Sequence, residues 1–149
     1  KLIPLFVTNA IDDLPLPLYG DGRNVRDWLY VDDHCAAVDF LIERGQNSET
    51  YNIGGRNERE NREITTRILE LTGKPESLIK RVADRQGHDR RYSLNTDKLA
   101  AHGFRSETDF DEALERTVRW YKENERWWRG IKERSAEFRA YYEKQYGAR

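Results

Sequence analysis

Asn24-Val25-Arg26-Asp27-Trp28-Leu29-Tyr30-Val31-Asp32-Asp33-His34 alternates large apolar residues with polar ones and then stops on two acids. Val25, Leu29 and Val31 suit a pleated, half-buried strand, although Trp28 and Tyr30 leave neither face purely apolar. Asp32 or Asp33 is expected to N-cap the helix that follows. Arg26, at the start of the strand, carries a rigid and permanently charged fork that matches phosphate oxygens in pairs. A strand feeding a helix, with such an arginine at its edge, is the candidate binding site. It also sets the fold class as α/β.

Upstream of this stretch, Leu2, Leu5, Phe6, Val7 and Ala10 fall on one side of a helix, and Pro4 is tolerated only in its first turn. The chain opens on Lys1-Leu2-Ile3-Pro4-Leu5 with no methionine and no capping residue, and the expectation is that a large N-terminal part has been removed. Asp12 to Pro15 breaks the helix. Leu16-Pro17-Leu18-Tyr19 then reads as a short edge strand running into a Gly20-Asp21-Gly22 turn. Pro17 with Tyr19 makes a rigid apolar wall that suits a planar base, and a plain surface turn has the same composition.

Downstream, Cys35, Val38, Leu41 and Ile42 repeat at helical spacing, which predicts a core-facing helix from His34 to Arg44 with Cys35 packed inside. Thr50 to Gly55 reads as a strand closing on a glycine pair, where backbone must approach something closely. Asn61 is expected to cap a helix whose apolar side is Ile64, Ile68 and Leu71 and which ends at Gly73. Its free backbone donors can alternatively face an anionic or hydroxylated ligand. Leu78 to Val82 is extended and leads into Asp84-Arg85-Gln86-Gly87-His88-Asp89-Arg90-Arg91-Tyr92. Arg85, His88, Arg90 and Arg91 around Gly87 can clamp a diphosphate, or form a solvated loop balanced by Asp84 and Asp89. The last third, about 109–147, is helical, with Phe110, Leu114, Val118 and Tyr121 as its core stripe and Asp109 or Asp111 as its cap.

The totals narrow the classes. A chain of 149 residues holds about one domain. Its 37% hydrophobic content is under the usual ~45–50%, and its 36% charged content is above the usual ~25%. Either the surface is very polar or part of the core lies outside this chain. A net charge of −1 argues against a general nucleic-acid or membrane binder. The single cysteine, Cys35, excludes an internal disulfide and fits a reducing, cytoplasmic compartment. Three dispersed histidines argue against a zinc site. There is no Gly-rich phosphate loop after a strand, no nucleophile elbow, and no acid in an apolar run that would raise its pKa. The residues describe a ligand-gripping piece without catalytic machinery of its own.

The series Lys1 to Leu5, Leu16 to Gly20, Asn24 to His34, Thr50 to Asn61 and Asp84 to Tyr92 resembles the dTDP-glucose 4,6-dehydratase family. These are extended short-chain dehydrogenases/reductases of nucleotide-sugar metabolism. Thr117 to Tyr121 and the Trp127-Trp128 pair look like the family's C-terminal helix. The resemblance implies a C-terminal, substrate-binding lobe of helices and short strands, residues 1–149 being a portion whose Rossmann domain is missing. That domain would hold NAD and the Tyr-x-x-x-Lys pair, so no catalytic residue is expected here. The family's reaction passes hydride from the sugar C4 to NAD, loses water across C5 and C6, and returns the hydride at C6. Carried onto matching positions, Lys1, Leu2, Ile3, Pro4 and Leu5, with Pro17, Leu18 and Tyr19, are implied to border the thymidine end of dTDP-glucose. Arg26 is implied to hold the diphosphate and Asn61 to contact the nucleotide, while Asp84, Arg85, Gly87 and His88 close the site. Gln86 stands where the family usually has proline, which loosens that loop. The whole enzyme is implied to be a cytoplasmic homodimer, and the isolated chain to be inactive. A UDP-sugar epimerase or decarboxylase lobe and a non-enzymatic interaction module stay open as alternatives.

Overall fold

The computed structural model, which describes residues 1–134 and 136–146, holds two short sheets and seven α-helices among those residues, and its main apolar cluster is built from the first, third and fifth helices and the first strand. Helix α1 (Leu2–Ile11) takes Pro4 in its first turn, where the missing N–H has no intrahelical partner to lose. It buries Phe6, Val7 and Ala10 against α3 (Asn61–Thr72) and α5 (Phe110–Glu123), which contribute Ile64, Ile68, Leu69, Leu114 and Val118. Strand β1 (Leu16–Tyr19) runs parallel to β4 (Ile79–Val82), with Leu16 opposite Ile79 and Tyr19 opposite Val82. Strand β2 (Val25–Asp27) pairs antiparallel with β3 (Glu58–Glu60). The remaining helices are α2 (Val31–Arg44), α4 (Asp97–His102), α6 (Glu125–Arg134) and α7 (Ala136–Tyr146). The helical run expected to reach 147 is described as far as Tyr146, and residue 147 lies outside the described residues. No helix among the described residues is long and apolar enough to cross a membrane.

Several expectations shift by a residue or a face, each for a local reason. Strand β2 stops at Asp27, so Trp28 to Tyr30 are not strand. The Asp27 carboxylate instead accepts from the backbone N–H groups of Gly55 (3.0 Å) and Asn57 (2.9 Å), turning the chain away from the ladder. Tyr30, not Asp32 or Asp33, is the N-cap of α2; the two acids sit in its first turn, where they meet the positive end of the helix dipole. Helix α2 is rotated relative to its predicted stripe. Cys35 is exposed, as are Val31 (63%), Val38 and Ile42 (79%). What packs is the neighbouring side, where Ala37 is buried and the Phe40 ring lies 5.6 Å from Phe104. Periodicity marks an apolar stripe, but no element among the described residues covers this one.

Thr50 to Gly55 is not a strand, because no neighbouring strand among the described residues offers it a ladder. The close approach predicted for its glycine pair is present. A Cβ on Gly55 would fall 2.1 Å from the Trp28 carbonyl oxygen, and one on Gly54 would fall 2.5 Å from Asp27 Oδ2. Helix α3 is capped by Glu60, whose N–H donates to the Glu63 carboxylate (2.8 Å), so Asn61 is the first helical residue rather than the cap. Asp109 caps α5, accepting from Asp111 N (2.9 Å) and Glu112 N (3.1 Å). Gly55→Ala is expected to displace the Trp28 carbonyl and destabilise the chain by about 1–3 kcal/mol, the usual cost of overpacking, read as a lower denaturant midpoint at unchanged slope.

Candidate functional site

Strand β2 delivers Arg26 against the loop after β4. The guanidinium donates through Nη1 to its own strand at Val25 O (2.6 Å) and through Nη2 to Asp89 O (3.1 Å). The same Nη2 lies 3.1 Å from His88 Nε2. Its carbon sits 4.3 Å from the centre of the Tyr92 ring, a cation–π contact that covers one face of the fork. The loop is tied to the strand by main chain as well, since Val25 N donates to Arg90 O (2.8 Å) and Tyr92 N to Val25 O (3.1 Å).

His88 is nearly closed off, with its side chain 4% exposed, and its two ring nitrogens have different jobs. Nδ1 lies 2.5 Å from Asp84 Oδ1, a carboxylate that also accepts from Arg85 N at 2.8 Å. An arginine can only donate, so Nε2 must be the acceptor towards Arg26 and Nδ1 must carry the proton given to Asp84. The result is a directed chain: Arg26 donates to His88, and His88 donates to Asp84. The hydrogen bond from His88 holds the Asp84 carboxyl below its ordinary range. Tyr92 donates its hydroxyl to the Asp89 carboxylate, which pushes that hydroxyl above the ordinary phenol value.

The loop shape follows from one turn. His88 N donates to Arg85 O (3.2 Å), and Gly87 sits inside that turn at φ +64° with open space around it. A turn with positive φ at its third position selects glycine there, whereas proline at the second is favoured but not required. Gln86 therefore leaves the turn closed. Arg85 places its guanidinium 5.1 Å from the Tyr19 ring centre, and the His88 ring meets Tyr19 edge-on at 5.8 Å.

Behind the arginine lies a pair of buried amides. Asn24 is 1% exposed; its Nδ2 donates to Asp89 O (3.2 Å), and its carbonyl accepts from Asn61 N (2.9 Å). The side-chain oxygens of both Asn24 and Asn61 are buried without a hydrogen-bond partner. An unmatched buried acceptor costs about 1–3 kcal/mol. The two residues are joined by the backbone bond from Asn61 N to Asn24 O.

The structure thus brings Tyr19, Arg26, Asp84, Arg85, Gly87 and His88 together, with Asn61 reaching them through Asn24 and Asp89. It separates others. Leu18 is buried in the core beside Leu16, so its side chain is structural, and Pro17 is buried between them in the same strand. Lys1 is exposed, and Leu2 and Leu5 pack on the core from α1. Ile3 and Pro4 line a different, apolar groove of about 620 Å³ with Trp28, Tyr30, Phe110 and Trp120. Arg90 and Arg91 do not join the clamp, because they are paired with Asp21 (2.9 and 3.1 Å) and Glu58 (2.5 and 2.9 Å). Arg90 and the Arg23 backbone hold Asp21 at about 2. Asn24, Asp89 and Tyr92 are the residues that sequence reading did not single out as site members. Asn24 heads the decisive stretch, but nothing in a lone asparagine foretells that its oxygen is buried.

Against this geometry, the family model for the NAD dependent epimerase/dehydratase family matches residues 1–54. The dTDP-glucose 4,6-dehydratase of Streptomyces antibioticus is 49% identical over 137 residues, covering 91% of this chain and 41% of the relative. The crystal structure of that enzyme from Streptomyces venezuelae, with NAD bound, superposes with a TM-score of 0.84 at 49% identity, over 88% of this chain and 41% of that one. A UDP-glucose 4-epimerase from Thermotoga maritima, with UDP-glucose, gives 0.77 at 26% identity, over 83% and 40%. The chain spans about two-fifths of the length of the curated relatives it matches. By sequence over its first 54 residues and by fold, the chain is similar to the NAD dependent epimerase/dehydratase family and to solved extended short-chain dehydrogenases/reductases. Within that family it matches the C-terminal portion of the dTDP-glucose 4,6-dehydratases.

Because Asp84 is lowered in the folded chain, its contribution to loop order is complete above the unfolded carboxyl value, ~4, and fades as pH falls through the lower folded value. The protection of amides 84–92, taken relative to their intrinsic exchange rates at each pH, is therefore expected to fall on acidification, and Asp84→Asn to show that lower protection already at neutral pH.

Proposed function

We propose that this chain is the substrate-gripping portion of a dTDP-glucose 4,6-dehydratase, a lyase acting on dTDP-glucose. The observation that carries the reading is the Arg26 fork, oriented by His88 and Asp89 beside two unpartnered buried asparagine oxygens. In this reading Arg26, Arg85 and His88 take the diphosphate. Tyr19 borders the base, and Asn24 and Asn61 accept from donor groups of the nucleotide. Gripping the diphosphate far from the reacting carbons turns binding energy into placement of the sugar.

NAD does not fit the residues present. β1 leads through Gly20 and Gly22 into β2 rather than into a helix, and among the described residues no other strand passes through a glycine turn into a helix as a dinucleotide cradle requires. The reading therefore leaves the redox step to a separate portion, such as the three-fifths of the relatives' length that this chain does not match. It places that portion against the bare stripe of α2 (Val31, Cys35, Val38, Ile42). A cytoplasmic location and a homodimer formed by the complete enzyme belong to the same reading.

Two measurements test it. Calorimetric titration is expected to show dTDP binding to the chain, and Arg26→Lys to weaken it by about ten- to a hundredfold, because a point charge replaces a two-pronged, charge-assisted donor. Unchanged affinity in that variant refutes the assignment. UDP that binds as tightly as dTDP moves the reading to a UDP-sugar enzyme. With NAD and dTDP-glucose supplied, the chain alone is expected to release no 4-keto product, and turnover by it would show that the catalytic groups lie within these residues.

A further inference from the structure

The far side of Tyr19 is held by the last helix, an element that neither the sequence pattern nor the proposed diphosphate clamp involves. Gln145 Nε2 donates to the Tyr19 hydroxyl at 2.6 Å, and the Tyr146 ring lies 6.0 Å from the Tyr19 ring. Burial and a hydrogen bond with Tyr19 push the Tyr146 hydroxyl above the ordinary phenol value. The helix is itself anchored. Tyr142 packs on Tyr146 at 5.1 Å, and its hydroxyl accepts from Asn9 Nδ2 at 3.2 Å. Asn9 is fully buried; its Nδ2 also donates to Pro15 O (2.8 Å), and its Oδ1 accepts from Lys132 Nζ (3.1 Å). Lys132, on α6, pairs in addition with Asp12 (2.9 Å), which Arg129 also contacts (2.7 Å). Contacts therefore run from the end of α1 and α6 to the Tyr142 hydroxyl through polar groups, pass from Tyr142 to Tyr146 by ring packing, and reach the Tyr19 hydroxyl from Gln145.

On its other side Tyr19 meets Arg85 and His88. The ring is thus fixed between the anion-binding loop and the C-terminal helix. A tyrosine at the end of a short two-stranded sheet has little else to set its side-chain angle, since Tyr19 is only half-buried. We infer that Gln145 and Tyr146 are positioning residues for the base-binding wall, so that the last helix of the chain sets affinity for the nucleoside end of a nucleoside-diphosphate ligand. The inference rests on the nucleotide-sugar reading above and adds to it a residue pair some 126 positions from the ring it serves.

Separating the two ends of the ligand tests this. Gln145→Ala, Tyr146→Phe and Tyr19→Phe are titrated with dTDP and, separately, with inorganic pyrophosphate, which has no base. The expected result is a dTDP affinity about tenfold weaker in Gln145→Ala and in Tyr146→Phe, the scale of one lost hydrogen bond, with pyrophosphate affinity within about twofold of the parent. Gln145→Ala added to Tyr19→Phe is expected to cost less than the sum of the two single changes, because the bond they share can be lost only once. A general loosening of the fold would weaken both ligands alike, and that outcome overturns the inference. So does a dTDP affinity unchanged in both α7 variants while Arg26→Lys weakens it, which leaves the nucleotide-sugar reading intact. A parent chain that binds pyrophosphate but not dTDP removes the reading and the inference together.

Discussion

The donor bond from Arg26 to His88 is the constraint on which the rest of the site depends. A free arginine at a strand edge samples many rotamers, and a diphosphate that binds it must order the side chain at that moment. Here the ordering is done in advance. His88 Nε2 and the Asp89 carbonyl fix the Nη2 end, Tyr92 covers a face of the guanidinium, and Asp84 fixes the tautomer of the histidine. Preorganisation of this kind raises affinity by lowering what binding must immobilise, without adding a contact.

The same logic explains why the loop after β4 carries so many charges while few of them turn towards Arg26. Arg90 and Arg91 tie the loop to Asp21 and to Glu58 on β3. Exposed ion pairs of that sort contribute little to stability singly. Their use here is geometric, in that they hold the chain just after the turn that presents Arg85 and His88. Asp27 does the equivalent at the end of β2, where its carboxylate gathers the Gly55–Asn57 backbone.

How much of this was legible in the sequence depended on whether the signal was local. The helices α1, α3 and α5 follow from apolar spacing and end where Asp12, Gly73 and Asn124 stand. The arginine and the glycine turn at 85–88 follow from residue chemistry. The cap of α2 falls two or three residues before the expected acids, because acids suit both a cap and a first turn, and that of α3 falls one residue before Asn61, where Glu60 and Glu63 form a capping box. The face of α2 was misread because periodicity reports that a helix has an apolar side, not whether this chain supplies something to cover it. Leu18 shares a strand with Tyr19 but points to the other side, which a resemblance spanning both residues does not separate. The buried oxygens of Asn24 and Asn61, and the reach of Gln145 to Tyr19, arise from contacts between distant segments and leave no trace in spacing.

The central claim, that Arg26 and His88 act as one preset anion grip, is tested most directly by nitrogen-resolved NMR of the His88 ring and the Arg26 guanidinium during titration with dTDP. The account predicts His88 with its proton on Nδ1 in the free chain, and resonances of both side chains that shift together and saturate at the same ligand concentration. A ring protonated on Nε2 instead, or dTDP that binds while both side chains stay unmoved, contradicts it.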